Sequence, residues 1–238
     1  EEEQEEAKKQ LQLILGIRAE LCESLFWQGL ADGMESLVGK LQEVPEVVVC
    51  YGLGSFSGDC ISGGQGHNAR YQVAAALLLR SKLEGLVARA PRESKSGSSR
   101  VPMEFFDPVT TRVEQAVLEQ LGFEVQSIDR EGKHWVSVPT LFFMPHCPMR
   151  LYSNLLWANW ASLGNLLLLG NSLTLYRDRP LTAEQRLDRS NCVLQLLEAS
   201  LVEEVPVVLP RQAERCLRDL PHLEGAFNDL ALCYFPLE

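Results

Sequence analysis

Residues 47–55 read VVVCYGLGS, a β-branched apolar run that leads straight into a loop of glycine and serine. A continuous apolar run of this length is typical of a strand that is covered on both faces of a parallel sheet. Glycines at its end let the backbone turn sharply or approach a ligand closely. Three more apolar runs also end in residues suited to a ligand site: Met103–Phe106 before Asp107-Pro108, Leu141–Met144 before Pro145-His146-Cys147-Pro148, and Leu166–Leu169 before Gly170-Asn171-Ser172.

Helical patterns lie between these runs, and the alternation predicts an α/β fold. We expect a Rossmann-like, mostly parallel sheet with helices on both faces, and a C-terminal strand, Leu230–Phe235, at the edge of the sheet. Trp135–Val138 is predicted to form a short extra strand. Open parallel sheets bind ligands at the carboxyl ends of their strands. The pattern therefore indicates where the protein acts better than it indicates what the protein does.

The region before the first strand carries apolar side chains at helical spacing. Gly16 weakens this pattern and Ser24 is a suitable N-cap, so two helices are predicted rather than one. We therefore divide the chain into N-terminal helices packed on the core, residues 1–44, and one Rossmann-type domain, residues 45–238.

Composition excludes several classes of partner. The 238 residues are 46% hydrophobic and 23% charged, which is ordinary for a globular protein. A net charge of −10 disfavours nucleic acid, which requires a basic face. No apolar run approaches the roughly 20 residues that span a bilayer, so no membrane partner is expected. The seven cysteines are scattered and never spaced Cys-x-x-Cys, which argues against a disulfide framework and favours a reducing cytoplasmic or nuclear setting.

The loop after the first strand is a candidate ligand site. Gly52, Gly54 and Ser55 could aim backbone amides at an anion or a ribose. The spacing differs from the usual Gly-x-Gly-x-x-Gly, and the acid that would read the ribose, Asp107, lies much further along the chain than is usual. A glycine turn without a ligand, and an aspartate that only caps a turn, are the alternative interpretations.

The ends of the later strands add further candidates. His146 and Cys147 are both possible ligands of haem iron, although a packed cysteine beside a structural histidine explains the same residues. Asn154 and Asn171 could read a base or a carboxylate, or could serve as cap and turn residues. No serine or cysteine triad can be traced, so nucleophilic catalysis is not supported and no catalytic residue is predicted.

Longer blocks of the sequence resemble one known family, the sensitivity-to-red-light-reduced (SRR-like) domain proteins of plants, fungi and animals. The matching blocks are Val49–Phe56, Ala69–Gln72, Phe106–Val109, Leu121–Val125, Thr140–Cys147, Leu151–Trp160, Gly170–Ser172, and Phe227–Asp229 with Tyr234–Pro236. Two segments depart from the family pattern, the extra residues Ser62–Asn68 beside the glycine loop and a long loop near Ser94–Ser99. The Cys147-Pro148 pair is also not general in the family.

The resemblance implies a regulatory role: circadian or light signalling in plants, and regulation of haem biosynthesis and clock genes in animals. It supplies no catalytic residue. We therefore expect a cytoplasmic or nuclear regulatory protein that binds a small ligand at the strand ends, such as haem, S-adenosylmethionine or another nucleotide-like molecule, and that has a protein partner. The alternatives are a methyltransferase-like enzyme that uses S-adenosylmethionine, and a non-catalytic protein-interaction module.

Overall fold

A computed structural model describes residues 1–41, 43–57, 65–89, 100–178, 190–209 and 220–236. Its sheet has seven strands: β1 Val47–Tyr51, β2 Met103–Phe106, β3 Glu124–Val125, β4 Thr140–Met144, β5 Leu166–Asn171, β6 Glu203–Pro206 and β7 Leu230–Tyr234. Their spatial order is β3-β2-β1-β4-β5-β7-β6. The four apolar runs that predicted the fold are β1, β2, β4 and β5.

The first five strands run parallel, and β7 is antiparallel to both of its neighbours. The predicted mostly parallel sheet is therefore confirmed. The C-terminal strand is present but lies one place in from the edge, because β6 pairs along its outer side. The chain leaves β1 toward β2 on one side and returns to β4 on the other, so the order reverses between β1 and β4. Parallel sheets bind ligands at such a switch point.

Helices cover both faces of the sheet, as predicted. They are α1 Glu2–Cys22, α2 Leu25–Val38, α3 Gln65–Arg89, α4 Arg112–Gln120, α5 Met149–Ala158, α6 Leu175–Asp178, α7 Cys192–Glu198 and α8 Leu223–Phe227, with a 3-10 helix at Trp160–Asn165. Two N-terminal helices form where two were expected. Ser24 caps the second, since its hydroxyl accepts a hydrogen bond from the Trp27 amide at 3.1 Å.

Side-chain alternation along the strands divides the core into two layers. On β1, Val48 and Cys50 face a layer formed with α1–α4 and α8. Val49 and Tyr51 face the opposite layer, formed with α5–α7. Because both faces are covered, every residue of β4 is buried. This double coverage is the reason that the central strands read as continuous apolar runs.

The short strand predicted at Trp135–Val138 is wrong, since these residues have no regular secondary structure. The Val136 amide donates to the side-chain oxygen of Asn159 at 2.9 Å instead of to a neighbouring strand. Of the two segments that depart from the family pattern, Ser94–Ser99 lies outside the described residues, whereas Ser62–Asn68 lies outside them as far as Gly64 and belongs to α3 from Gln65. None of the described helices is long and apolar enough to cross a membrane.

Candidate functional site

The glycine loop and Asp107 meet directly at the carboxyl edge of the sheet. The Gly54 amide donates to Asp107 Oδ2 at 2.8 Å, and the Val109 amide donates to Asp107 Oδ1 at 3.0 Å. Gly52 and Gly54 have φ values of +67° and +82°, which side-chain-bearing residues rarely adopt. Asp107 therefore holds the loop in its turn, and each carboxylate oxygen keeps a lone pair for a further donor.

The rest of this loop is bound to Glu114, a residue that the sequence reasoning missed. Its Oε1 accepts hydrogen bonds from the Ser55 hydroxyl and the Ser57 amide, both at 2.6 Å, and from the Phe56 amide at 2.5 Å. Its Oε2 accepts from the Thr111 amide at 2.7 Å. Amides that could have bound an anionic ligand thus already donate to the chain's own carboxylate.

Local sequence explains how Glu114 reaches this position. Thr111 and Glu114 form a capping box at the start of α4, in which the Thr111 hydroxyl accepts from the Glu114 amide. The Glu114 side chain is completely buried. Burial alone would raise the pKa of Glu114, but the donors on Ser55 and in the loop outweigh it and hold the pKa below its ordinary value.

His146 and Asn171 also lie side by side. His146 has φ +55°, and its amide donates to Asn171 Oδ1 at 2.7 Å. Asn171 Nδ2 donates to the Cys147 carbonyl at 3.1 Å and to the Tyr176 hydroxyl at 3.2 Å. The Asn171 side chain is therefore fully engaged in holding the turn after β4. The His146 ring places Nε2 at 3.1 Å from the Ala226 carbonyl, so its other nitrogen is the one available to a ligand.

Cys147 is buried behind the glycine loop. Its thiol donates to the Tyr51 carbonyl at 3.4 Å, and burial raises its pKa to about 12. Haem iron is ligated by thiolate, so this protonated thiol is poorly suited to the predicted role in this conformation. A Cβ atom added to Gly52 would lie 2.8 Å from Cys147 Sγ. No group of three or more histidine, cysteine or acidic side chains in the described part of the chain could hold a metal ion.

This contact gives a testable coupling between Gly52 and Cys147. We expect Gly52→Ala to lower the free energy of unfolding. This loss should be about 1 kcal/mol smaller in a Cys147→Ala background, because the alanine at position 147 removes the sulfur that the new Cβ would meet. Urea denaturation of the wild type, both single variants and the double variant measures this difference. If Gly52→Ala lowers the free energy of unfolding equally in both backgrounds, residues 52 and 147 do not make this contact. Gly54→Ala is the control, since its added Cβ would meet only Ala69 Cβ, at 3.8 Å.

A cleft of about 310 Å³ opens at the same edge, beside the switch point. Tyr51 and Gly52 at the end of β1, together with Phe106 at the end of β2, form its floor, and Pro108 follows on one side. Leu151, in the first turn of α5, contributes to the opposite wall. The Tyr51 and Phe106 rings lie 5.9 Å apart between centroids. The interior is therefore mainly apolar and aromatic, as in most small-molecule sites.

Polar groups stand around the rim of the cleft. Asp129, Glu131, Arg150 and Asn154 contribute to its lining. Asn154 Nδ2 donates to the Glu131 carbonyl at 2.7 Å, which ties α5 to the loop after β3. The Glu131 carboxylate lies 3.1 Å from Lys133 Nζ and 4.0 Å from Arg150 Nη2.

A buried histidine fixes the floor of the cleft. The Tyr51 hydroxyl lies 3.1 Å from His134 Nδ1. Burial lowers the pKa of His134 to about 4, so the imidazole is neutral near pH 7. Its Nε2 lies 3.9 Å from the Glu104 carboxylate, whose pKa is raised by burial and by neighbouring Glu124. In the tautomer that carries its proton on Nε2, toward Glu104, the neutral imidazole accepts a hydrogen bond from the Tyr51 hydroxyl through Nδ1 and fixes the ring.

The structure thus divides the predicted site residues into three groups. Gly52 and Asn154 line the cleft. The other loop residues, Gly54, Ser55 and Asp107, brace the glycine loop, while His146, Cys147 and Asn171 brace the turn after β4. Sequence reasoning did not identify the aromatic floor or the charged rim, because these residues carry no motif.

These features define the chain as an α/β protein with a Rossmann-like sheet and a cleft at the switch point. A family model described as the SRR1 domain matches residues 34–234. The chain therefore belongs to the SRR1-domain family, which confirms the resemblance found in its sequence blocks.

Three relatives illustrate this membership. An SRR1-like protein of Drosophila melanogaster is 27% identical over 221 residues, which are 92% of this chain and 66% of the relative. Protein SENSITIVITY TO RED LIGHT REDUCED 1 of Arabidopsis thaliana is 34% identical over 134 residues, 56% of this chain and 42% of the relative. An SRR1-like protein of Mus musculus is 39% identical over 127 residues, 52% of this chain and 43% of the relative. The chain thus spans less than two thirds of each relative, and no solved structure matches it significantly.

Proposed function

We propose that this chain is a regulatory domain that binds a small ligand in the cleft over Tyr51 and Gly52 and passes that signal to a protein partner. The observation that carries the proposal is the position of the cleft, at the carboxyl ends of β1 and β2 and beside the switch point, where open α/β sheets bind ligands. The Arabidopsis relative, named for reduced sensitivity to red light, supports a role in light or circadian signalling.

Haem and nucleotide-like molecules are the two ligand classes proposed. For haem, His146 is better suited than Cys147 as the iron ligand, because the thiol is buried and protonated whereas the histidine keeps one ring nitrogen available. Neither residue lines the cleft, so a haem in the cleft would have to extend past Pro148 to the turn after β4 to reach His146. For nucleotide-like molecules, the aromatic floor of Tyr51 and Phe106 offers a stacking surface for a base. A haem ligand would support the proposed role in regulating haem biosynthesis, and either class suits a cytoplasmic or nuclear protein.

A tryptophan placed in the cleft tests the proposal. Adenosine and haemin are the two probes. For whichever of them binds the wild type, Asn154→Trp is expected to lower the affinity by at least about tenfold, a difference that calorimetry (adenosine) or absorbance (haemin) resolves. Gln115→Trp, on an exposed part of α4, is the control and is expected to bind as the wild type does. The proposal fails if neither probe binds the wild type, or if both variants bind equally well.

A methyltransferase-like enzyme is the second candidate. The glycine loop after β1, bound to an acid, Asp107, that follows β2, is the observation that favours it, because Rossmann-like sheets hold a nucleoside with these two features. A shared arrangement does not imply a shared activity. Turnover of S-adenosylmethionine to S-adenosylhomocysteine by the purified protein with a methyl acceptor separates an enzyme from a ligand-binding regulator.

An interaction module is the third candidate. Trp135 and Trp157 are each 65% exposed. Asn159, two residues after Trp157, bonds through its side chain to the Val136 amide and the His134 carbonyl, on either side of Trp135, and so links the two segments. Exposed tryptophans are enriched at protein interfaces, so this surface supports a protein partner whether or not the cleft holds a ligand.

A further inference from the structure

We propose that the cleft selects a nucleoside that carries a zwitterionic amino-acid group and no phosphate, the chemistry shared by S-adenosylmethionine and S-adenosylhomocysteine. This inference rests on the proposed small-ligand function and names the chemical class that the same site takes. It follows from three features: loop amides that already have an acceptor, an aromatic floor and a rim of mixed charge.

The first feature is that amides in two of the strand-end loops already have a carboxylate acceptor in the described part of the chain. In the loop after β1, the Phe56 and Ser57 amides donate to Glu114. In the loop after β5, the Leu173 and Thr174 amides donate to Glu204, the latter at 3.1 Å. A phosphate that used these amides would have to displace a carboxylate that already satisfies several donors. Loops of this kind bind phosphate through such amides, so these four amides disfavour a phosphate.

The second feature is the shape and polarity of the interior. Tyr51 and Phe106 present aromatic surface on the floor, and Leu151 closes one side. His134 holds the Tyr51 ring through its hydroxyl, so this surface is fixed before a ligand enters. A planar base can stack on such a surface. A volume of about 310 Å³ falls at the lower end of the range for small-molecule sites, which favours a nucleoside over a macrocycle.

The third feature is the charge of the rim. The charged side chains that line the cleft are Asp129, Glu131 and Arg150, two acids and one base. This excess of negative charge repels a phosphate group. Glu131 already pairs with Lys133 at 3.1 Å, so Arg150 can turn to a ligand carboxylate while Asp129 faces the ammonium group. The rim therefore complements a zwitterion.

Three ligands that differ only at the ribose 5′ position test this inference: adenosine, adenosine monophosphate and S-adenosylhomocysteine. Calorimetry with the wild-type chain is expected to give affinity about fivefold higher for S-adenosylhomocysteine than for adenosine, the scale of a solvent-exposed ion pair. Adenosine monophosphate is expected to bind more weakly than adenosine. The inference would be overturned if adenosine monophosphate bound as tightly as S-adenosylhomocysteine.

Arg150→Ala locates the effect. We expect this variant to lose the preference, so that it binds S-adenosylhomocysteine no more tightly than it binds adenosine. Lys133→Ala is the matched control, since Lys133 is a neighbouring cation that does not line the cleft, and it should keep the preference. If adenosine binds without any preference for the zwitterion, the inference fails and the small-ligand function stands. If none of the three ligands binds but haemin does, the inference also fails, and haem remains as the proposed ligand of the cleft. If neither these ligands nor haemin bind, both the inference and the proposed small-ligand function fail.

Discussion

Replacing Glu114 with glutamine is expected to lower the free energy of unfolding by about 3 kcal/mol, because a buried acceptor would be exchanged for a group that also donates. All four partners of this carboxylate are donors: the Ser55 hydroxyl and the amides of Phe56, Ser57 and Thr111. The amide nitrogen of a glutamine would oppose at least one of them. The buried loop would then lose hydrogen bonds that water cannot replace.

The same variant is expected to alter the pH dependence of stability. Hydrogen bonds hold the pKa of Glu114 below its ordinary value in the folded chain. A group of this kind stabilises the native state fully above the pKa of the unfolded chain, about 4.3 for glutamate. That contribution is lost as the pH falls through the lower pKa of the folded state. The difference in stability between wild type and Glu114→Gln should therefore be largest above about pH 5 and should shrink in acid.

Urea denaturation between pH 7 and pH 3 measures both effects. Glu119→Gln is the control, because Glu119 lies on the same helix, is exposed, and bonds only to Gln115 in the described structure. Its cost should stay within about 0.5 kcal/mol, as for most surface substitutions. A Glu114→Gln variant as stable as the control at pH 7 would show that the loop does not depend on this carboxylate.

The central part of the fold could be predicted from the sequence because β1, β2, β4 and β5 are buried strongly enough to be nearly continuous in apolar residues. The edge strand β6 could not be predicted in the same way, because it contains two acids and a proline. With β6 not recognised as a strand, β7 was placed at the edge. Edge strands carry little periodic signal, since one side of each faces solvent.

The site was predictable only in part, for a different physical reason. Gly52, Asp107 and His146 were singled out because each follows an apolar run, and strand ends converge at one edge. Gly52 lines the cleft, whereas Asp107 and His146 hold the neighbouring loops. Glu114 could have been found from the Thr-x-x-Glu capping box, although nothing local shows that its carboxylate reaches back to the glycine loop. His134 and Arg150 lie in segments without a motif, and the contact between Tyr51 and His134 joins residues far apart in the chain. Only tertiary structure shows that Tyr51 and Arg150 line one cleft and that His134 holds the Tyr51 ring there.

Replacing Glu204 with glutamine is expected to cost about 2 kcal/mol and to loosen the edge of the sheet, because several donors would again lose a charged acceptor. The Glu204 carboxylate accepts from the hydroxyls of Ser172 and Thr174, at 2.8 and 2.7 Å, and from two amides of the same loop. It is the counterpart of Glu114, since an acid from a distant element fills the loop after β5 as Glu114 fills the loop after β1.

Hydrogen exchange measures this effect locally. In the Glu204→Gln variant, amides of β6 and of the loop after β5 should exchange faster than in the wild type, while amides of β1 and β4 keep their protection. Glu198→Gln, an exposed acid at the end of α7, is the control and should change neither region. The strand is only four residues long and pairs on one side, so its ladder alone holds it weakly. The carboxylate is then a tether between the edge strand and the carboxyl edge of the parallel strands, and unchanged exchange in the variant would show that the β6 ladder is sufficient without it.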